Sequence, residues 1–152
     1  MQITRREAIV GLLAMPCAAD AHGAGTDPSP VMGPTVFHWD DSKFVNNEHG
    51  SVRSLCKSPT ATVDQLEMHI TRLDPGQSPH PPHRHVNEEL IILREGQVET
   101  LSDGKWVKAA PGDVIFNASN SLHGLRNISS APAVYHVINW SPNKDAAPKA
   151  AS

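Results

Sequence analysis

Apolar and polar side chains alternate with a period of two along the segment Leu66–Leu73. Its apolar positions are Leu66, Met68 and Ile70, and its polar positions are Glu67, His69 and Thr71. Successive side chains of a β-strand point to opposite faces of a sheet, whereas the apolar face of a helix recurs every three to four residues. The segment therefore predicts a β-strand with one buried face.

Short apolar runs separated by turn signals continue this pattern to the end of the chain. The further runs are QVETL, WVKAA, VIFN, SLHGLRN and APAVYHVINW. Asp103 and Gly104 lie between the first two runs and predict a β-hairpin, and Pro111–Asp113 is a second turn. Many short strands with close turns, and no convincing helical pattern, indicate an all-β domain, either a sandwich or a barrel.

The first 21 residues have the composition of a cleaved export signal. Arg5 and Arg6 form a basic start, residues 8–19 are mostly apolar, and the segment ends in Ala19-Asp20-Ala21. The run TRREAIVGL resembles a twin-arginine export signal. The apolar centre is shorter than the roughly 20 residues that span a bilayer. We expect a periplasmic or secreted protein without a membrane anchor; a buried N-terminal helix is the alternative.

The remaining chain is long enough for one domain. Residues 22–34 predict a flexible lead-in and residues 142–152 a disordered tail, because both are rich in Pro, Gly, Ser or Ala. Residues 35–141 form the predicted domain, in which the run TVFHWDDSKFV is expected to add a strand. The net charge of −3 and the lack of a basic block argue against a nucleic-acid partner. After cleavage Cys56 is the one cysteine, which excludes an internal disulfide.

Three histidines lie within six residues in the run HPPHRHVNEEL. If the run is extended, His83, His85 and Glu89 share one face and Glu88 points away. Imidazole and carboxylate groups on one face are typical of a metal site. His85 and Glu89 would lie roughly 13 Å apart on an ideal strand, so the chain must bend. His123, from a later strand, is the natural fourth ligand.

These residues resemble the two sequence motifs of the cupin superfamily. The first motif corresponds to Gly76, His83, His85, Glu89 and Gly96, with one extra residue between the first two. The second corresponds to Gly104, the turn at residues 111–113, His123 and Asn127, with Ala-Pro-Gly-Asp in place of Pro-x-Gly-Asp. The resemblance extends from about Leu66 to Trp140.

The resemblance implies a single small antiparallel jelly-roll barrel that holds one divalent transition metal. By motif position its ligands are His83, His85, Glu89 and His123. Such a mixed ligand set suits Mn, Fe, Ni, Zn or Cu. Export of a folded protein would favour Mn or Fe, because the metal would be acquired in the cytoplasm. The alternative is that these histidines lie on a surface loop or in a barrel without a metal.

Other residues have open roles in the sequence. His80 is either a neighbour of the metal ligands with an acid or base role, or a loop histidine between two prolines. His69 and His136 are predicted mid-strand and face either the barrel or solvent. Asn127 and Gly96 fit turn and packing roles, and Arg84 is expected to point outward. Cys56 is expected to be a small buried residue.

The function that this pattern favours is a metal-dependent enzyme acting on a small organic molecule, of dioxygenase, isomerase or lyase type. The alternative is an exported module that binds a metal or small ligand without turnover. A ligand-sensing regulator is a third possibility, disfavoured by the export signal and the absence of a DNA-binding segment. By family resemblance a homodimer is also expected.

Overall fold

The computed structural model describes residues 31–142, which contain nine β-strands and no helix. The strands are β1 (Val45–Asn47), β2 (Gly50–Ser58), β3 (Val63–Leu73), β4 (Glu88–Glu95), β5 (Val98–Ser102), β6 (Lys105–Ala109), β7 (Val114–Asn117), β8 (Gly124–Asn127) and β9 (Ala133–Pro142). No helix in this part of the chain is long and apolar enough to cross a membrane.

The strands form two antiparallel sheets. The larger has the order β1-β2-β3-β9-β4-β7, and the smaller has the order β6-β5-β8. Apolar side chains of both sheets form one core, which comprises Leu73, Ile91, Leu93, Val98, Ala109, Ile115, Leu125, Ala133, Tyr135 and Val137. The predicted all-β antiparallel jelly-roll barrel is confirmed. The predicted strand at residues 66–73 lies within β3, and the predicted hairpin is β5–β6.

The predicted strand in the run TVFHWDDSKFV is wrong, because regular strand structure begins only at Val45. A turn interrupts the segment: the backbone N–H of His38 donates to the Asp41 carboxylate at 2.9 Å. The Trp39 ring instead contacts the guanidinium groups of Arg53 and Arg94, which lie 4.3 and 4.4 Å from its centroid. The segment therefore covers the outer face of the large sheet through cation–π contacts rather than through a ladder of hydrogen bonds.

Gly96 and Asn127 have the packing and turn roles that the sequence indicated. Gly96 has φ +82°, and a Cβ atom there would lie 2.8 Å from the Cα of Ala133, so the position requires glycine. The Asn127 amide donates to the carbonyl groups of Leu73 and Ala131 at 3.0 and 2.9 Å. Its oxygen accepts from the backbone N–H of Ser129. Asn127 thus ties the loop before β9 to the end of β3.

Cys56 is half-buried on β2, and its thiol lies 3.8 Å from the carbonyl oxygen of Leu66. Burial raises the pKa of this thiol, which keeps it protonated and unreactive at neutral pH. The predicted export signal at residues 1–21 lies outside the described residues. So do most of the predicted lead-in and all of the predicted tail after Pro142. Those assignments stay predictions.

Candidate metal centre

His83 and His123 face each other in an antiparallel bridge outside the named strands. The backbone N–H of His83 donates to the carbonyl of His123 at 2.9 Å, and the reverse bond measures 3.1 Å. This pair fixes the spacing of the two α-carbons, because each residue both donates and accepts. One histidine from each of the two sequence motifs is thereby placed at the same point of the barrel.

The run from His83 to Glu89, which the sequence analysis treated as one extended strand, is extended over a shorter length than expected. Strand β4 begins at Glu88, and the chain bends at Val86 and Asn87 before it. The bend turns His85 back toward His123, with ring centroids 4.6 Å apart. A straight strand would have carried His85 away from the later residues of the motif. The bend that the ligand spacing requires is therefore present just ahead of β4.

The three imidazoles of His83, His85 and His123 converge. One ring nitrogen from each lies within 4.8 Å of the others. The ring centroids of His83 and His123 are 4.5 Å apart, and those of His83 and His85 are 5.2 Å apart. A metal ion with bonds of about 2.0–2.1 Å to imidazole nitrogen fits between donor atoms at this separation. We refer to these residues as the three-histidine cluster.

Backbone carbonyls orient two of these rings. Nδ1 of His85 lies 2.8 Å from the carbonyl oxygen of Asn87, and Nδ1 of His123 lies 2.9 Å from that of Ser121. A carbonyl only accepts, so each Nδ1 carries the proton and each Nε2 has a free lone pair. This is the usual outer arrangement around a metal-bound histidine.

Two nitrogens of the cluster are buried without a hydrogen-bond partner. They are Nδ1 of His83 and Nε2 of His123, and His123 is only 3% exposed. Buried polar atoms are nearly always paired in native proteins. The unpaired state of these atoms, together with the nitrogen donor set, fits a bound transition metal.

The electrostatics of the cluster favour the neutral form of His83. Burial lowers the pKa of His83, and the neighbouring His80, His123 and His85 lower it further, while Glu89 acts in the opposite sense. A neutral imidazole offers a lone pair to a cation, and a protonated one does not. His83 is therefore already in the protonation state that metal binding needs at neutral pH.

Glu89 lies near the cluster but not within it. Its carboxylate accepts a hydrogen bond of 2.9 Å from the Asn117 amide, which belongs to the paired position on β7. Asn117 is 5% exposed and holds Glu89 on the inner face of β4. No sequence pattern indicated Asn117, because its place opposite Glu89 depends on the pairing of β4 with β7.

A cavity of about 290 Å³ opens beside the cluster. Its walls include His80, Glu89, Asn117 and His123, and the neighbouring strands add Thr71 and Tyr135. Burial raises the pKa of Tyr135 well above its usual range, so its hydroxyl remains protonated and can donate a hydrogen bond. The cavity combines an apolar interior with a few polar groups, which is typical of small-molecule sites.

His69 faces this cavity, which settles the orientation that the sequence left open. Its Nδ1 lies 4.0 Å from the carboxylate of Glu67, which Lys57 holds at 2.9 Å. Burial lowers the pKa of His69, against the opposing charges of Glu67 and Glu89. His69 is thus a neutral imidazole at the wall of the cavity, able to accept a proton.

His136 and Arg84 point away from the cavity. His136 lies on the outer face, where burial lowers its pKa first and the charges of Arg94 and Arg53 lower it further. Arg84 donates to the carbonyl of Asn120 at 2.5 Å, as its outward position in the sequence pattern suggested. Neither side chain contributes to the candidate site.

The family model described as a cupin domain matches residues 69–139. L-ectoine synthase of Halomonas elongata is 33% identical over 85 residues, which cover 55% of this chain and 62% of the synthase. The matched part therefore spans less than two thirds of that relative.

Two solved structures share the fold of this chain. KdgF from a Halomonas species has a TM-score of 0.60 at 16% identity, covering 74% of this chain and 97% of its own. The polyketide cyclase RemF from Streptomyces resistomycificus has a TM-score of 0.57 at 22% identity, covering 77% and 89%. Residues 69–139 thus match a cupin domain, and the jelly-roll fold of the described residues agrees with that match.

Proposed function

We propose that this protein is a metal-dependent enzyme that acts on a small organic molecule. The observation that carries the proposal is the three-histidine cluster, which has two buried nitrogens without partners and in which His123 lines a cavity of about 290 Å³. Clusters of this kind bind metals, and cavities of this size hold small ligands.

In this proposal His83, His85 and His123 bind one divalent transition metal, with Glu89 as the predicted further ligand. When bound, the metal supplies Lewis-acid polarisation or binds oxygen. Asn117 holds the Glu89 carboxylate in place. The carbonyls of Asn87 and Ser121 fix the ring orientations of His85 and His123.

The protein groups around the cavity support proton transfer. His69 is neutral and faces the cavity, so it can accept a proton from a bound molecule. The Tyr135 hydroxyl stays protonated and can donate a hydrogen bond to a developing negative charge. These groups suit a dioxygenase, isomerase or lyase. Similarity to a protein named L-ectoine synthase favours a small polar substrate.

Metal analysis tests the first half of the proposal. Protein purified from its own host without added metal should contain close to one equivalent of a transition metal. The double variant His85→Ala, Glu89→Ala should contain almost none. Mn or Fe is the expected metal, and Zn, Ni or Cu would instead indicate loading outside the cytoplasm. Absence of metal from the unmodified protein would refute the proposal.

Turnover is tested with the metal-loaded protein and the same double variant. Each is incubated in air with a mixture of small hydroxy, oxo and amino acids, and the mixture is followed by mass spectrometry. Products that gain two oxygen atoms indicate a dioxygenase, products of unchanged mass an isomerase, and fragments or loss of water a lyase. Binding of a compound without conversion would favour the non-catalytic alternative.

Export and dimerisation are separate proposals. Export rests on the pattern of residues 1–21, and cell fractionation of an Arg5→Lys, Arg6→Lys variant tests it. Retention of this variant in the cytoplasm is expected for a twin-arginine signal. The homodimer rests on family resemblance and on exposed Val114 and Phe116 of edge strand β7. Native mass spectrometry tests it.

A further inference from the structure

His80 lies directly beside the three-histidine cluster. Its ring centroid is 4.1 Å from that of His83, and the two ring planes meet at 75°. This is shorter than any centroid distance within the cluster itself. His80 also lines the same cavity as His123 and Glu89.

The backbone around His80 is built to hold it there. Pro79, Pro81 and Pro82 restrict the chain on both sides, because each ring fixes its own φ and limits the preceding residue. Pro82 packs over Gly124, where a Cβ atom would lie 3.2 Å from the proline ring. Gly124 directly follows His123, so this contact holds the proline segment beside one of the cluster residues.

The His80 ring remains free to turn. The side chain is exposed, and its one hydrogen bond within residues 31–142 is a long contact of 3.3 Å between Nδ1 and the carbonyl of Pro81. Glu89 is held differently, by the 2.9 Å hydrogen bond from buried Asn117. Of these two neighbours of the cluster, His80 is the one whose donor atom can move onto a metal without breaking a short hydrogen bond.

We infer that His80 is a fourth imidazole donor to the metal bound by His83, His85 and His123. This inference rests on the proposed metal centre and adds a ligand that the cupin sequence motifs do not contain. Because imidazole suits Fe, Ni, Cu and Zn while Mn prefers oxygen ligands, a fourth imidazole shifts the preference of the site away from Mn. It also places one ligand on an exposed segment, where it can leave when a substrate arrives.

Metal titrations of the full chain, freed of metal by chelation, test the inference with the ion alone as probe. Co²⁺ affinity is measured by calorimetry for the unmodified protein, His80→Ala and His49→Ala. His49 is the matched control, since it is another histidine of the cavity wall that contacts Gln77 and Glu48 rather than the cluster. We expect His80→Ala to weaken Co²⁺ binding at least about 10-fold and His49→Ala to leave it unchanged.

The number of nitrogen ligands is read independently from the electron paramagnetic resonance of the Cu²⁺ form. Four coupled nitrogens are expected in the unmodified protein and three in His80→Ala. An unchanged nitrogen count, with Co²⁺ affinity within twofold of the unmodified protein, would overturn the inference while leaving the three-histidine centre intact. Failure of the unmodified protein to bind either ion would instead refute the metal centre itself, and the inference with it.

Discussion

His83 and His123 exchange two backbone hydrogen bonds, of 2.9 and 3.1 Å, across the end of the barrel. These two residues are 40 positions apart in the sequence, and each belongs to a different motif. Because the backbone sets the distance between their α-carbons, the spacing of the two imidazoles depends little on side-chain freedom. Preorganisation of this kind lowers the entropy lost when a ligand set closes on a metal.

Replacement of His123 by alanine should abolish metal binding under ordinary conditions. Its Nε2 is buried and unpartnered, so the ring contributes a donor that no neighbouring residue replaces. We expect an affinity loss of more than about 100-fold, beyond that seen for groups that merely orient a ligand. Calorimetric titration with Zn²⁺ measures it.

The matched control is His38→Ala, because His38 lies in the exposed loop ahead of β1. Its metal affinity should equal that of the unmodified protein. Thermal unfolding of the metal-free variants verifies that both are folded. Binding by His123→Ala at near-normal affinity would show that this histidine is not a ligand.

Asn117→Leu should weaken metal binding without unfolding the barrel. The leucine has a similar volume but cannot donate to the Glu89 carboxylate, which then loses its 2.9 Å hydrogen bond. We expect roughly a 10-fold loss of affinity, as is usual for groups that orient metal ligands. The control is Asn139→Leu, since Asn139 lies opposite Glu89 on β9 but bonds Asn87. Equal losses of metal affinity in both variants would show that any polar residue paired with Glu89 has this effect, and that the hydrogen bond from Asn117 is not its specific cause.

The sequence predicted the class of fold because the alternation of residues 66–73 and the turn at Asp103 and Gly104 are local signals. Asp103 and Gly104 both have positive φ, at 47° and 74°, as a tight hairpin turn requires. Strand β2 was not located, because its run GSVRSLCKS mixes polar and small residues. Its position depends on pairing with β3, which is a long-range contact.

The two sequence motifs predicted the histidines of the candidate site. The other residues around it could be placed only once the pairing register of the strands was known. The direction of His69 depends on the pairing of β3 with β9, where His69 lies opposite Val137, a core residue. Asn117 likewise depends on the pairing of β4 with β7. A single sequence does not specify which residues of distant strands lie opposite each other, so these partners required the structure.

Gly96→Ala should destabilise the fold more than Gly104→Ala. Both glycines have positive φ, which costs an alanine roughly 1–2 kcal/mol. At Gly96 the new Cβ would also lie 2.8 Å from the Cα of Ala133, whereas nothing lies within 4 Å at Gly104. We therefore expect an additional loss of about 1–3 kcal/mol at Gly96. Urea unfolding of the two variants measures the difference, and equal losses would show that backbone conformation alone determines the cost.

The stability of the protein should fall between pH 7 and pH 5, partly because of His136. Burial and then the charges of Arg94 and Arg53 lower the pKa of this imidazole in the folded chain. Arg53 lies on β2 and Arg94 on β4, and both pack on Trp39. The folded protein then binds fewer protons than the unfolded chain below about pH 6.5, so acid favours unfolding.

His136 makes its full contribution to the free energy of unfolding above about pH 6.5, the pKa of histidine in the unfolded chain. That contribution is lost as the pH falls through the lower pKa that His136 has in the folded chain. His136→Gln removes the titrating group and should flatten the decline in unfolding free energy between pH 7 and pH 5. His69 and His83 have pKa values lowered by burial, so part of the decline should remain.

Urea unfolding of the metal-free protein at several pH values tests this expectation. His49→Gln is the control, because the neighbours of His49 are Glu48 and Gln77 rather than two arginines. That variant should leave the decline between pH 7 and pH 5 unchanged. If His136→Gln and the unmodified protein decline in parallel, the two arginines do not suppress protonation at this position.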